Sequence, residues 1–378
     1  MDLRELADRA LKACGDASQA EVFAASGRTV SVYLDDGRIK NVEEKDDIGI
    51  SLRVLKGRRV GQASSTCSTI EDAERCARAA SRLADLAPAS KSFDRLPSPS
   101  KATLAPNNWD PLVAQLGGST LCELTSAVAG AAEARGVKVP KGMIRGGAVE
   151  TLVRNTNGVD AENRYTAVFS DFSSMTSGPQ PGEGVASYTS PWLEGLDPYC
   201  MGASLAEQAM AAQCATTLPS SLRIPVFIVP DELGNMLDIL VGSAASADIV
   251  QRKRSPWAGK LGQQVASPEI TIVDDPGDPR AVLSAPYDDE GVPTAVRPVV
   301  ENGVLRSYLY DAYSSSVKGQ APSGNGLRWG HTTPSTCSAA AFRPATSTCW
   351  SRPEVGTGSK CCPRSTAAPS SRRSPAPT

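Results

Sequence analysis

The chain has 378 residues, 39 basic and 41 acidic side chains, a formal net charge of −2, 40% hydrophobic and 21% charged residues. That balance supports a buried core and excludes global disorder and a charge-driven nucleic-acid binder. A single histidine, His331, excludes any site that needs two from this chain, the H-E-x-x-H zinc site among them.

The first predicted element is a helix, with Leu3, Leu6, Ala7, Ala10, Leu11 and Cys14 on one face and Gly15 at its end. Val30, Val32 and Leu34 alternate with polar residues, turn at Asp36-Gly37 and return through residues 38–42. Ile50, Leu52 and Val54 form a second alternation that turns at Lys56-Gly57 and continues through Val60. Ser68 and Glu71 are spaced as a capping box for a helix with Ile70, Ala73, Ala77, Ala80 and Ala84 inward. Residues 1–88 therefore read as a helix, an antiparallel sheet and a helix. Residues 89–111 are a proline-rich linker.

A middle α/β segment, 112–222, holds a helix around Leu121 to Ala132 and strands either side of Asn157-Gly158. A further helix over about 204–215 is predicted from Ser204 and Glu207. From Arg223 the pattern becomes β-rich. Residues 224–229 predict a buried strand, Asp231 a helix cap, 270–273 a strand, and 296–310 a hairpin around Asn302-Gly303. From His331 to Thr378, Ser, Thr, Pro and Ala dominate, with no Leu, Ile or Met, so this stretch is expected to be disordered or out of frame. The expected class is α+β, with a C-terminal β-rich domain at 223–330 that is incomplete at its end.

No run of 18 apolar residues predicts a membrane span, and Met1 to Glu5 do not form a signal peptide, so a cytoplasmic location is expected. Of ten cysteines without a C-x-x-C pair, the six scattered ones, Cys14, Cys67, Cys76, Cys122, Cys200 and Cys214, are expected to be reduced, mostly core thiols. Ser98/Lys101 and Ser315/Lys318 match the S-x-x-K spacing of a serine nucleophile, at a frequency that chance explains. Two acidic turns stand out, Asp274-Asp275 with Asp278, and Asp288-Asp289-Glu290-Gly291. Neither has EF-hand spacing, but carboxylates at one turn can hold a peptide amine.

Several linked pieces carry a resemblance over about 225–328. They are Pro230-Asp231-Glu232, Leu240 to Ser246, Lys260 to Val265, Thr271 to Pro276, Asp288 to Thr294, Glu301 to Leu305, Asp311 to Ser314 and Gly324 to Arg328. In their order and spacing the chain resembles the TldD/PmbA family, proteins named as modulators of DNA gyrase and studied as metalloproteases. Gly49 to Val54 and Gly57 to Gly61 extend the resemblance to the N-terminal part.

The resemblance implies a pair of branches. The TldD branch carries H-E-x-x-x-H on a helix and binds zinc; the TldE/PmbA branch lacks those ligands and is its partner. Here the corresponding segment reads Asp231-Glu232-Leu233-Gly234-Asn235-Met236, so both histidine positions are lost and only Glu232 matches. The expectation is a non-catalytic subunit with no catalytic residue and no metal ligand of its own. Zinc and hydrolysis would be supplied by a TldD-like metalloprotease subunit, acting on an unfolded peptide, with no direct nucleic-acid or membrane contact. Asp231, Glu232, Asp288, Asp289, Glu290 and Gly291 are the candidates for lining the peptide groove. The alternative is a homodimeric, non-catalytic peptide-binding or assembly protein.

Overall fold

The computed structural model describes residues 1–218 and 221–328. The tail predicted from residue 331 lies outside the described residues. The first helix, α1 (Leu3–Ala13), starts where Asp2 accepts a hydrogen bond from the Arg4 N–H. Three strands follow: β1 (Gln19–Asp35), β2 (Arg38–Lys56) and β3 (Arg59–Thr66). Asp36 and Gly37, both at positive φ, turn β1 into β2, as the Asp-Gly pair predicts.

The two short strands expected within 38–54 are one strand, because β1 pairs with β2 without a break from Gln19↔Leu55 to Tyr33↔Asn41. Next comes α2 (Ile70–Leu86), whose cap lies one residue later than predicted. Thr69 and Asp72, rather than Ser68 and Glu71, form the reciprocal capping box. After a short helix, α3 (Pro111–Ala114), come α4 (Gly118–Glu133), β4 (Lys138–Asn155), β5 (Asp160–Met175), β6 (Glu183–Ser190) and α5 (Pro198–Gln213). The last of these starts earlier than expected, because Asp197 caps it and Pro198 suits its first position.

The six long strands form one antiparallel sheet in the order β3-β2-β1-β4-β5-β6. The sheet therefore crosses from the N-terminal unit into the middle segment through the β1–β4 pairing. Alternation puts even-numbered residues of β1 on one face and odd-numbered ones on the other. Val22 and Ala24 pack with Ile50, Leu52 and Val54 under α1 and α2. Further along, Val30, Val32 and Leu34 pack with Ile144, Val168 and Phe172 under α4 and α5. On the opposite face Phe23, Ala25, Val149, Val153 and Tyr165 meet Val282, Leu283 and Tyr287 of the C-terminal region.

That region contains α6 (Pro230–Ala245), α7 (Ala247–Gln251), β7 (Ile272–Asp274), β8 (Arg297–Glu301), β9 (Val304–Leu305) and α8 (Ala312–Lys318). The last three strands form a second, small sheet. The structure is thus α+β, with a helix–sheet unit first and a C-terminal region of short strands. Residues 224–229 differ from expectation: they lie outside any strand, and Val226 and Phe227 are 77% and 84% exposed. The six described cysteines are free, and burial pushes the Cys14 and Cys67 thiols up to about 11. No helix among the described residues is long and apolar enough to cross a membrane.

Candidate functional site

The second acidic turn, 288–291, is closed by the hydrogen bonds between Asp288 and Val292 and sits on the back of the large sheet. Gly291 there has φ +73°, and an added Cβ would lie 2.3 Å from Val159 Cγ1, so the turn demands glycine. Asp288 and Glu290 are fully buried and Asp289 is 3% exposed. These three carboxylates face the inside of the molecule, not an open groove.

They meet charges from the sheet. Glu21 and Arg53 are direct cross-strand partners on β1 and β2. Arg53 donates to Glu21 at 2.9 Å and to Glu290 at 2.7 Å. Arg328 donates to the other Glu21 oxygen at 3.2 Å and to Ser51 Oγ at 2.6 Å, while its backbone N–H donates to Asp289 at 2.6 Å. The two guanidiniums also stack on aromatic rings, Arg53 at 5.3 Å from the Phe93 centroid and Arg328 at 4.8 Å from that of Phe23. Asp288 accepts from the N–H groups of Glu290, Val292 and Gly326 at 2.8–3.0 Å. Glu290 accepts from Ala312 N–H at 2.6 Å, beside Asp311, which caps α8 through Ser314.

Burial pushes the Asp288 carboxyl well up, with the Glu290 charge adding to it. It raises Glu21 as well, against the pull of Arg53 and Arg328. For Arg53, burial works against the charge, but Glu21 and Glu290 outweigh it and hold the proton more firmly. Arg328 goes the other way, to about 10, because burial and the neighbouring Arg53 charge exceed what Glu21, Asp289 and Glu290 return.

The remaining candidates lie elsewhere. Glu232 is exposed in the first turn of α6, and the Asp231 side chain lies outside the described residues. The structure thus brings Asp288, Asp289, Glu290 and Gly291 together and leaves Glu232 apart from them. Sequence reasoning missed Glu21 and Arg53. Their signal was a lone charge inside an apolar strand, Ala20-Glu21-Val22-Phe23 and Leu52-Arg53-Val54-Leu55. Next to the turn, Tyr165, Tyr287, Leu283 and Asp289 line a small pocket.

Two family models match the chain: PmbA/TldA metallopeptidase domain 1 over residues 20–84, and the PmbA/TldA metallopeptidase C-terminal domain over residues 221–348. A metalloprotease TldD homolog of Haemophilus influenzae is 26% identical over 82% of this chain and 66% of its own length. The metalloprotease PmbA of Escherichia coli O157:H7 is 25% identical over 85% of this chain and 73% of its own. Among solved structures, TldE from Thermococcus kodakarensis superposes with a TM-score of 0.76 at 20% identity, covering 90% of this chain and 76% of that one. The chain therefore spans about two thirds to three quarters of the length of these proteins. Fold and matched domains place it among metallopeptidase-related α+β proteins. It belongs to the TldD/PmbA family.

The metal such a family implies can be tested against the donors present. Structural and catalytic zinc sites draw on three or four His, Cys or carboxylate ligands. The one histidine lies outside the described residues, and α6 carries neither histidine nor cysteine. Among the described residues no three His, Cys, Asp or Glu side chains are grouped to hold an ion. The donors of the described residues therefore do not fit a zinc centre.

Proposed function

We propose that this chain is the non-catalytic subunit of a TldD/PmbA-type metalloprotease complex that degrades peptides. The observation that carries this reading is the donor set at α6, where the two histidine positions hold Asp231 and Met236. A glutamate without its metal has no lowered-pKa water to activate. Hydrolysis then falls to a partner with an intact H-E-x-x-x-H, and this chain contributes peptide contacts. The exposed 224–229 segment, outside any strand, offers backbone groups to which an unfolded peptide can add, with Glu232 beside it. Asp288, Asp289 and Glu290 join that path only when the buried turn is uncovered.

The test is native co-purification of the tagged chain from its own host, read by mass spectrometry with metal analysis. The expected result is a complex with a homologue bearing H-E-x-x-x-H and zinc bound in that homologue. Recovery of this chain alone as a dimer would replace the reading with the homodimeric binder. Within the complex, Glu232→Ala is expected to weaken peptide binding several-fold; unchanged binding and cleavage would remove Glu232 from the peptide path.

A further inference from the structure

The seam between the large sheet and residues 286–328 encloses more acid than base. Glu21, Asp288 and Glu290 are fully buried and Asp311 is 5% exposed. The guanidiniums sharing their space are those of Arg53 and Arg328. Among the described residues these groups form one connected set. It runs from Arg328 through Glu21 and Arg53 to Glu290, and from there through the Ala312 N–H to the cap residue Asp311. Asp288 joins through the Glu290 backbone and holds Gly326. With Asp289, 3% exposed, counted among them and every carboxyl ionised, five negative charges would face two positive ones. A buried charge without a counter-charge is costly, and a carboxyl escapes that cost by keeping its proton.

We propose that closing this seam takes up protons, so that the C-terminal region grips the sheet in acid and loosens as the pH rises. The groups facing the seam come from each element around it. The sheet supplies Glu21, Ser51 and Arg53, and the turn supplies Asp288, Asp289 and Glu290. Arg328 closes one end, and Asp311 with Ser314 the other, where Gln251 of α7 donates to the Ser314 carbonyl. The 93–96 segment adds the uncharged Phe93 ring over Arg53.

Burial, and then the charge of Glu290, push the Asp311 carboxyl up from 3.8 to about 6. A group raised in the closed form stabilises it fully below its open-state value, near 4, and loses that contribution as the pH rises through about 6. One linked proton changes the opening constant by up to about tenfold per pH unit across that window, about 100-fold in all. Glu21 and Asp288, raised in the same direction, add to the same trend.

Hydrogen exchange on the full chain, corrected for the chemical exchange rate and compared between about pH 4.5 and about pH 7, tests this. The Ala312 and Gly326 amides, whose acceptors are seam carboxylates, are expected to lose protection by tens-fold as the pH rises. Amides of the β1–β4 ladder are expected to keep theirs. Asp311→Asn, which retains an N-cap acceptor, is expected to cut the dependence at least tenfold. Equal protection of the seam amides at both pH values in the wild type would overturn the proposal, as would an unchanged slope in a folded Asp311→Asn variant. The wild-type profile decides alone if that variant does not fold.

Discussion

Arg53 is the residue on which the buried cluster turns. It bridges Glu21 on its own sheet and Glu290 on the C-terminal turn while only 3% of its side chain is exposed. Such a pair adds little over a well-packed apolar substitute, but breaking it strands the partner. Arg53→Ala leaves Glu21 and Glu290 buried without that cation, and is expected to cost about 3–5 kcal/mol in urea unfolding at neutral pH. In acid, where the Glu21 carboxyl, raised by burial, can take up a proton, the same variant is expected to lose less. Gly291→Ala meets Val159 and a left-handed backbone together, and is expected to destabilise by about 1–3 kcal/mol. The cluster was only partly legible in the sequence. The turn 288–291 announced itself as a run of acids, but its partners lie 237 residues away in the case of Arg53 and Glu290. No local spacing encodes such a contact. What the sequence does show is the oddity of a single charge in an apolar strand.

The helices meet the sheet's two edge strands through small residues. On β3, a Cβ at Gly61 would lie 2.1 Å from the Ala80 carbonyl of α2; ahead of β6, one at Gly182 would lie 2.1 Å from the Ala209 carbonyl of α5. Both neighbours are backbone, so neither can step aside without moving a helix. Gly61→Ala is expected to cost about 1–3 kcal/mol and to loosen α2, seen as faster exchange of its amides. The helices were readable because they are amphipathic and capped, although Asp72 and Asp197 showed that the capping residue is chosen by geometry among several candidates. The long strands were not readable at full length. Residues 43–47 of β2 are a polar run in which no side chain is buried. Alternation vanishes when both faces are wet, and only pairing with β1 holds the strand. The opposite failure affects 224–229, where a β-branched apolar run predicts a strand but no described strand pairs with it.

At the scale of the whole molecule, the seam makes one cooperative unit of two parts far apart in sequence. The turn at 288–291 and the start of α8 both rest on side chains that belong to β1 and β2. Apolar contacts reinforce the join, with Phe23, Val153 and Tyr165 packed against Leu283 and Tyr287. A buried contact of this kind transmits unfolding, because opening it exposes charges that each side holds for the other. The wild-type chain is therefore expected to unfold in a single urea transition in mild acid, with fluorescence and far-UV circular dichroism changing together. Arg328→Met keeps an apolar body over Phe23 but removes the second cation on Glu21 and the bond to Ser51. Its effect is expected to fall on the coupling: the C-terminal region should separate at lower urea than the sheet, giving two resolved transitions. Retention of one coincident transition in that variant would place the join in the apolar contacts instead. The same separation should appear in the wild type as the pH is raised, since the proton-holding carboxyls then ionise against each other. Agreement between the variant and the pH series would tie the cooperativity of the chain to the charge balance of the seam.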